Sequence, residues 1–309
     1  MGVFSNLTPD HLDFHRDMES YYRAKRLLFV PEGGNQLEVA AVNIDDPFGA
    51  RLAGEIPCPV LRYGFGAGAE VRALDAADRR AGVRGTGPIA GTDLRLATPR
   101  GELRVSSRLI GRPNAYNVLA ACSAGLALDL EPDVLRRGLE SLEGVPGRME
   151  RVDCGQPFTV VVDYAHTPDA LEGALLTLAE LPHRRIITVF GCGGDRDRAK
   201  RPVMGRIAAT RSDVVIATSD NPRSEQPERI LAEIQAGLDQ GGAERHVMPD
   251  RREAIAAALE RAELGDIVLI AGKGHETYQV VGDRSFPFDD RDVARRVLTG
   301  LGNTRGFAN

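Results

Sequence analysis

Tryptophan is absent from this chain of 309 residues, and aromatic residues make up only 5% of it. Proteins that bind nucleic acids commonly stack bases on aromatic side chains and meet the phosphates with a basic patch. Here the formal net charge is -5, and residues of both signs are interspersed along the chain. The composition therefore argues against a nucleic-acid partner.

Long apolar runs are also missing. The longest, around Val118–Leu128, is shorter than the roughly 20 residues that a helix needs to cross a bilayer. No signal peptide is visible, and Asn6 stands where a myristoylation signal requires a hydroxyl residue. We therefore expect a cytoplasmic protein without membrane association.

Cysteine is scarce. The four cysteines are scattered without a CxxC pair, which predicts reduced thiols and neither a disulfide framework nor a zinc site. Cys192 lies in a glycine-rich turn, but an unreactive thiol is the favoured interpretation. The chain also lacks the G-x-x-x-x-G-K-[ST] pattern of a Walker A loop.

The composition that is present is typical of a globular protein with a sizeable core, with 42% hydrophobic and 27% charged residues. The length favours about two domains. We place their boundary just after the break at Val145 and Pro146, which gives domains 1–147 and 148–309.

The second half alternates strands and helices, which predicts a doubly wound parallel sheet of the α/β class. The predicted strands are rich in β-branched residues, namely Phe158–Tyr164, Ile186–Phe190, Val214–Thr218 and Ile267–Ala271. The predicted helices are Pro168–Leu181, Arg198–Thr210, Pro227–Leu238 and Arg251–Ala262. In such sheets, ligands bind beyond the carboxyl ends of the strands.

The first half is mixed. Apolar spacing predicts a helix over Asp17–Phe29, a strand over Leu37–Val42 and a helix over Asn117–Leu130. Short alternating segments between Arg62 and Ile110 are typical of antiparallel strands.

Polar motifs follow the predicted strands of the second half. Asp163 and His166 lie where the first strand ends, although a structural aspartate and a turn histidine explain them equally well. Gly191–Arg198 is a glycine-rich turn that lets a ligand approach the backbone, but such turns are common. Asp220–Arg223 reads D-N-P-R; a turn explains its first three residues but has no need of Arg223.

Two motifs of the first half contain groups that can bind ligands. Asn6–His15 includes His11, which can bind a metal, although a capped surface helix explains the spacing, as a solvated helix face explains Lys25. Asn114 and Asn117 lie three apart on one predicted helix face, where amides suit the edge of an adenine. Ordinary capping explains them as well.

Over essentially the whole chain and in the same order, these motifs resemble those of the Mur ligases. The resemblance implies part of a central ATP-binding domain with a mixed sheet, followed by a Rossmann-like C-terminal domain. It also implies ATP and Mg²⁺ as cofactors, with His11 binding the metal. Lys25 matches a lysine that is carbamylated in the family, a modification that replaces a cation with a carboxylate able to hold metal or orient phosphate.

The same resemblance assigns nucleotide contacts. It implies that Asn114 and Asn117 meet the base and that Arg148 reaches the phosphates. It places Asp163 and His166 at the nucleotide as well.

For the amino-acid substrate, the D-N-P-R motif is similar to that of the diaminopimelate-adding members. There, Arg223 would pair with a distal carboxylate, and Asp220 with Glu276 would take the ammonium. Lysine lacks that carboxylate and would leave Arg223 unpaired at a cost of about 1–3 kcal/mol or more, since the group is charged. The resemblance adds to this pocket Arg196, Asn221, Pro222 and Gly272. Lys273 and His275 stay unassigned, since solvated loop positions explain them.

The implied reaction is the addition of meso-2,6-diaminopimelate to UDP-MurNAc-L-Ala-D-Glu through an acyl phosphate. We expect these small molecules as partners and a monomeric chain. A lysine-adding ligase, a folylpolyglutamate-synthase-like enzyme and a non-catalytic amino-acid-binding protein remain alternatives. Because the Walker A loop and the acidic metal ligand of the family are missing, we expect the chain alone not to be a competent ligase. We also expect its first ~140 residues to pack poorly or to expose a sheet edge.

Overall fold

The computed structural model describes residues 1–8, 12–33, 36–81 and 87–305. The chain divides into two compact units, each made of two separate stretches of sequence. The first comprises Met1–Asp78 and Gly91–Glu143, and the second comprises Arg79–Ala90 and Gly144–Asn309.

The first unit is built on a six-stranded sheet in the order β1-β2-β3-β4-β5-β6. Its strands are β1 (Gly2–Phe4), β2 (Ala40–Asn43), β3 (Val60–Gly64), β4 (Val71–Arg80), β5 (Ile89–Thr98) and β6 (Gly101–Ser107). Its helices are α1 (Leu12–His15), α2 (Met18–Arg26), α3 (Pro47–Ala53), α4 (Arg112–Ala127) and α5 (Pro132–Ser141). The end of β4, from Arg79, and the start of β5, as far as Ala90, belong to the second unit.

The expected antiparallel pairing is confirmed for β5 and β6 and wrong for β3, which pairs in parallel with β2 and β4. Along β5 and β6, alternate residues point to one face. Leu94 and Leu96 lie opposite Val105 and Leu103, and all four are buried against α4. This alternation is the pattern that the sequence showed.

The first unit is well packed, so the expectation of poor packing is wrong. Buried residues of β1, β2, α2 and α3 form one apolar cluster, and those of β3–β6 and α4 form another. β1 stands at the end of the strand order, as expected for an edge strand.

The second unit contains a sheet in the order β11-β10-β9-β12-β8-β7, together with a two-stranded hairpin. Its strands are β7 (Glu150–Arg151), β8 (Thr159–Asp163), β9 (Ile186–Phe190), β10 (Val214–Ala217), β11 (Glu244–Val247), β12 (Ile267–Ala271), β13 (Tyr278–Val281) and β14 (Arg284–Pro287). Its helices are α6 (Pro168–Ala179), α7 (Lys200–Arg211), α8 (Pro227–Leu238), α9 (Arg251–Arg261) and α10 (Asp290–Arg305).

The predicted α/β class is confirmed. Strands β8–β12 pair in parallel and only β7 runs antiparallel to its neighbour. Every residue of β8, β9, β10 and β12 is buried, since helices cover both faces of the sheet. The chain adds β9, β10 and β11 successively towards one edge of the sheet and then returns to place β12 between β8 and β9. A ligand crevice is expected where the strand order reverses in this way.

Candidate functional site

A cleft of about 790 Å³ opens beyond the carboxyl ends of β8, β9, β10 and β12. The loops after these four strands supply its walls, as expected for a doubly wound sheet. Of the predicted site residues, it is lined by His166, Arg196, Asp220, Asn221, Arg223, Gly272 and Glu276. The structure therefore brings together side chains that are 110 positions apart in sequence, from His166 to Glu276.

Asp220 is a buried carboxylate in the cleft wall, with 7% of its surface exposed. Burial raises its pKa, and the nearby cations Arg251 and Lys273 oppose that rise. Gly272 makes room for it, because a Cβ on Gly272 would lie 2.7 Å from Asp220 Oδ2. Gly272 also has a φ of +117°, which side chains rarely adopt. A glycine is required there on both grounds.

Lys273, which the sequence left unassigned, is fully buried. Its Nζ donates to Asn221 Oδ1 at 3.1 Å and to Glu276 Oε2 at 3.2 Å. Asn221 Nδ2 donates to the same Glu276 oxygen at 3.0 Å. The solvated-loop interpretation of Lys273 is therefore wrong, whereas His275 is exposed.

Arg223 lies in the cleft wall with a φ of 52°. Its backbone N–H donates to Val280 O on β13 at 3.1 Å, and its Nη1 donates to Gly194 O at 2.7 Å. These contacts fix the residue while the guanidinium keeps further donors for a ligand. Arg196 lines the same cleft and is exposed. The predicted site residue Pro222 is not among the lining residues; its carbonyl packs closely against Gly194, where a Cβ would lie 1.9 Å from Pro222 O.

A buried arginine that the sequence did not reveal joins the glycine-rich turn Gly191–Arg198 to the segment after the D-N-P-R turn. Arg201 is fully buried on α7 and pairs with Glu225 at 2.8 Å and Glu233 at 2.9 Å. It also donates to Gly193 O at 3.2 Å. These hydrogen bonds hold the pKa of Glu225 down at about 2. We call Arg201, Glu225 and Glu233 the clamp.

A second buried pair braces the strand ends. Arg251 and Asp290 are both fully buried and form a two-pronged ion pair, with Nη2 at 2.7 Å from Oδ2 and Nε at 2.8 Å from Oδ1. Arg251 also donates to Ser219 O at 3.4 Å and to Ala271 O at 2.9 Å. It therefore links the segment after β10 to the last residue of β12, from which the loops with the cleft residues continue.

Aromatic and cationic side chains gather at one rim. Tyr164 contacts the ring of His166 edge-on at 4.6 Å and that of His275 at 5.3 Å between centroids. The guanidinium of Arg148 lies over Tyr164 at 5.1 Å. Asp163 is buried, and its carboxylate accepts the N–H groups of Met149 at 2.8 Å and Ala165 at 2.9 Å. Burial raises the pKa of Asp163.

Two family models cover most of the chain. "Mur ligase middle domain" matches residues 1–125, and "Mur ligase, glutamate ligase domain" matches residues 147–274. The chain belongs to the Mur ligase family. A relative from Solibacter usitatus, named "UDP-N-acetylmuramoyl-L-alanyl-D-glutamate--2,6-diaminopimelate ligase", is 50% identical over 97% of this chain. A ligase of the same name from Geobacter metallireducens is 49% identical over 98% of it.

This Mur ligase chain spans 59% of the Solibacter relative and 62% of the Geobacter relative. A solved structure of a ligase with the same name is 39% identical and superposes with a TM-score of 0.69. The match covers 97% of this chain and 60% of the solved one.

The Mur ligase residues expected at the base lie on α4 of the first unit. Asn117 Nδ2 donates to Asn114 Oδ1 at 3.1 Å, so the two amides do share a helix face. Asn114 also donates to Ile110 O at 2.9 Å, which closes the preceding turn. Between them, Tyr116 donates to Asp45 Oδ2 at 2.9 Å and anchors the segment.

Of the two residues expected to bind the metal, the structure describes Lys25 and not His11. Lys25 is exposed on α2, with its Nζ over the ring of Tyr21 at 5.3 Å from the centroid. His11 lies outside the described residues. Within residues 1–8, 12–33, 36–81 and 87–305, no group of three or more histidine, cysteine or acidic side chains is arranged to hold a metal. Lys25 and His11 as metal and phosphate ligands therefore stay a prediction.

Two further findings concern the cysteines and the helices. Cys192 is buried beside Met204, and burial raises the pKa of its thiol to about 12, which suits the unreactive role. Among the described helices, none is long and apolar enough to cross a membrane.

Proposed function

We propose that this chain carries the amino-acid-binding part of a ligase that adds meso-2,6-diaminopimelate to UDP-MurNAc-L-Ala-D-Glu at the expense of ATP. The observation that carries the proposal is the convergence of Arg223, Asp220 and Glu276 on one cleft. The matching name of relatives that are 49% and 50% identical supports it.

The cleft chemistry fits one end of diaminopimelate, which carries both an ammonium and a carboxylate. Arg223 is a fixed cation whose planar fork suits a carboxylate. Asp220 and Glu276 are acceptors for the ammonium. Lysine would place an ammonium at the two acids but would leave Arg223 without its carboxylate, a cost of about 1–3 kcal/mol or more. The geometry thus favours diaminopimelate over lysine.

We assign the amine substrate to domain 148–309 and base recognition to domain 1–147. In the second domain, Arg196 supplies a further cation in the cleft, and His166 stands at its rim. In the first, Asn117 keeps amide hydrogen-bonding capacity beyond its contact to Asn114. ATP would supply the phosphoryl group. His11 and a carbamylated Lys25 would hold the Mg²⁺, which would offset negative charge on the phosphates. The protein groups contribute binding and orientation of the amine.

Calorimetry on the purified chain tests the amino-acid site directly. We expect meso-diaminopimelate to bind and lysine to bind more weakly. Arg223→Ala should weaken diaminopimelate binding by about 10- to 100-fold, the worth of a charged hydrogen bond, and change lysine binding little. Arg229→Ala, on the exposed side of α8, is the matched control and should bind like the unmodified chain.

An equal loss for both amino acids in Arg223→Ala would remove this arginine from the carboxylate site. Preference for lysine in the unmodified chain would favour the lysine-adding alternative. Binding of diaminopimelate together with no affinity for ATP would favour a non-catalytic amino-acid-binding protein.

A further inference from the structure

Lys273 is a fully buried ammonium immediately behind the cleft wall. A buried cation is costly unless it is paired and hydrogen-bonded, and here Asn221 and Glu276 accept two of its protons. Its Nζ also lies 5.7 Å from the centre of the Tyr278 ring. The residue does not line the cleft itself. Its effect on a ligand is therefore exerted through the residues that it holds.

The first of these residues is Asn221. Its Oδ1 accepts both Lys273 Nζ and the N–H of Val280, the latter at 3.0 Å. Both partners are donors only, so the carboxamide cannot turn over without placing its NH₂ against them. The NH₂ group must then face Glu276, where the 3.0 Å hydrogen bond is found.

The second is Glu276. Its Oε2 accepts from both Asn221 and Lys273. Oε1 has no donor among the described residues, and Glu276 lines the cleft. One carboxylate oxygen is thus fixed by the protein and the other is left for a ligand.

The charges agree with this division. Asp220 and Glu276 place two negative charges in the wall, and Lys273 cancels one of them. Arg251 is already matched by Asp290. A ligand that brings one ammonium to these two acids therefore offsets the remaining negative charge, while Arg223 and Arg196 in the same cleft are left for the carboxylate of the ligand.

We infer that Lys273 is a positioning residue for the amine substrate, fixing Asn221 and Glu276 so that Glu276 Oε1 and Asp220 together receive one ammonium. This inference rests on the proposed function for the identity of the ligand. Without Lys273, Asn221 is free to turn, and Glu276 Oε2 loses the cation that holds it in place.

The test is a double-mutant cycle with Lys273→Met and Glu276→Gln, read by calorimetric binding of meso-diaminopimelate to the whole chain. Each single substitution should weaken binding by tenfold or more. In the Glu276→Gln background, adding Lys273→Met should change the affinity less than threefold, because Lys273 acts through Glu276. Losses that simply multiply would overturn the inference and show a general structural effect.

If Lys273→Met alone does not fold, the double variant keeps the test open, since removing both members of a buried ion pair is often tolerated. Its affinity is then compared with that of Glu276→Gln alone. A further tenfold loss in the double variant would contradict the inference.

A second readout needs no ligand and separates this inference from the proposed function. In NMR spectra of the free chain, the side-chain NH₂ of Asn221 should be protected from exchange. In Lys273→Met that protection should be lost, because Asn221 can then turn its NH₂ away from Glu276. Unchanged Asn221 signals would overturn the inference. If the signals change but diaminopimelate does not bind the unmodified chain, the proposed function fails and the positioning role stands.

Discussion

Asp220 illustrates how a residue is held in a state that favours function over stability. Burial raises its pKa, which means that the ionised carboxylate is less favoured in the folded chain than in the unfolded one. A buried charge of this kind is retained when a ligand needs it. The aspartate is therefore expected to cost stability in the absence of an ammonium partner.

Asp220→Asn should raise the melting temperature at pH 7 and weaken meso-diaminopimelate binding at least tenfold. The stability difference from the unmodified chain should shrink as the pH falls, because protonation removes the same charge from Asp220. Thermal unfolding at several pH values and calorimetry measure the two effects. Asp283→Asn, at the exposed β13–β14 turn, serves as the control. Binding by Asp220→Asn with unchanged affinity would exclude Asp220 from the site.

At the scale of single residues, the sequence predicted the side chains that line the site better than the residues that hold those side chains in place. Arg223 was recognisable because a turn has no use for an arginine, and the family motif named its partners. Lys273 was not, because a lysine in a glycine-rich loop is usually solvated. It is held by Asn221, whose Oδ1 also accepts the N–H of Val280 on a later strand, and neither contact has a local sequence signal.

Among the elements, α7 and α8 are joined by the clamp of Arg201, Glu225 and Glu233. The hydrogen bonds from Arg201 lower the pKa of Glu225 from its usual 4.5 to about 2. A lowered pKa contributes stability that is present above pH 4.5 and is lost as the pH falls towards 2. The clamp should therefore weaken in acid, and with it the hold on the turn that carries Arg196.

Glu225→Gln should be less stable than the unmodified chain at neutral pH and should lose less stability between pH 4.5 and about 2. Melting temperatures across this range measure the effect. Glu228→Gln changes an exposed acid in the first turn of α8, three residues further along the chain, and should follow the unmodified chain. Parallel pH curves for Glu225→Gln and the unmodified chain would contradict the assignment.

The elements that the sequence predicted are those with strong local patterns. β8, β9, β10 and β12 are uniformly buried and were found within one residue at each end. By contrast, β11 (Glu244–Val247) and the β13–β14 hairpin were missed, because their residues are largely exposed and form no buried apolar pattern. The hairpin is nevertheless what holds the D-N-P-R turn, through Val280. α4 begins at Arg112, earlier than the apolar pattern alone suggested.

For the whole molecule, the grouping of residues 79–90 with the second unit is a non-local feature. The N–H of Ile89 donates to Thr159 Oγ1 at 3.0 Å, and Arg151 donates to Ala90 O at 2.8 Å. Both Ile89 and Thr159 are buried. No pattern in the sequence pairs positions that are 70 residues apart, so this grouping could not be predicted from it.

Thr159→Val keeps the shape of the side chain but leaves the buried N–H of Ile89 without an acceptor. The free energy of unfolding should fall by about 1–3 kcal/mol, and the Ile89 amide should exchange faster with solvent. Denaturant unfolding and hydrogen exchange measure the two. Thr177→Val, which removes a hydroxyl from the less buried side of α6, should cost within about 0.5 kcal/mol. An equal cost for both would show that the contact to Ile89 contributes nothing specific.

The ion pair of Arg251 and Asp290 has a consequence for altering amine selectivity in the laboratory. Asp290 is the first residue of α10, yet its partner holds the carbonyls that precede both acid-bearing loops. Mutant libraries restricted to residues that line the cleft would not include Asp290. Randomising the start of the final helix should yield variants with shifted substrate preference although no altered atom meets the substrate.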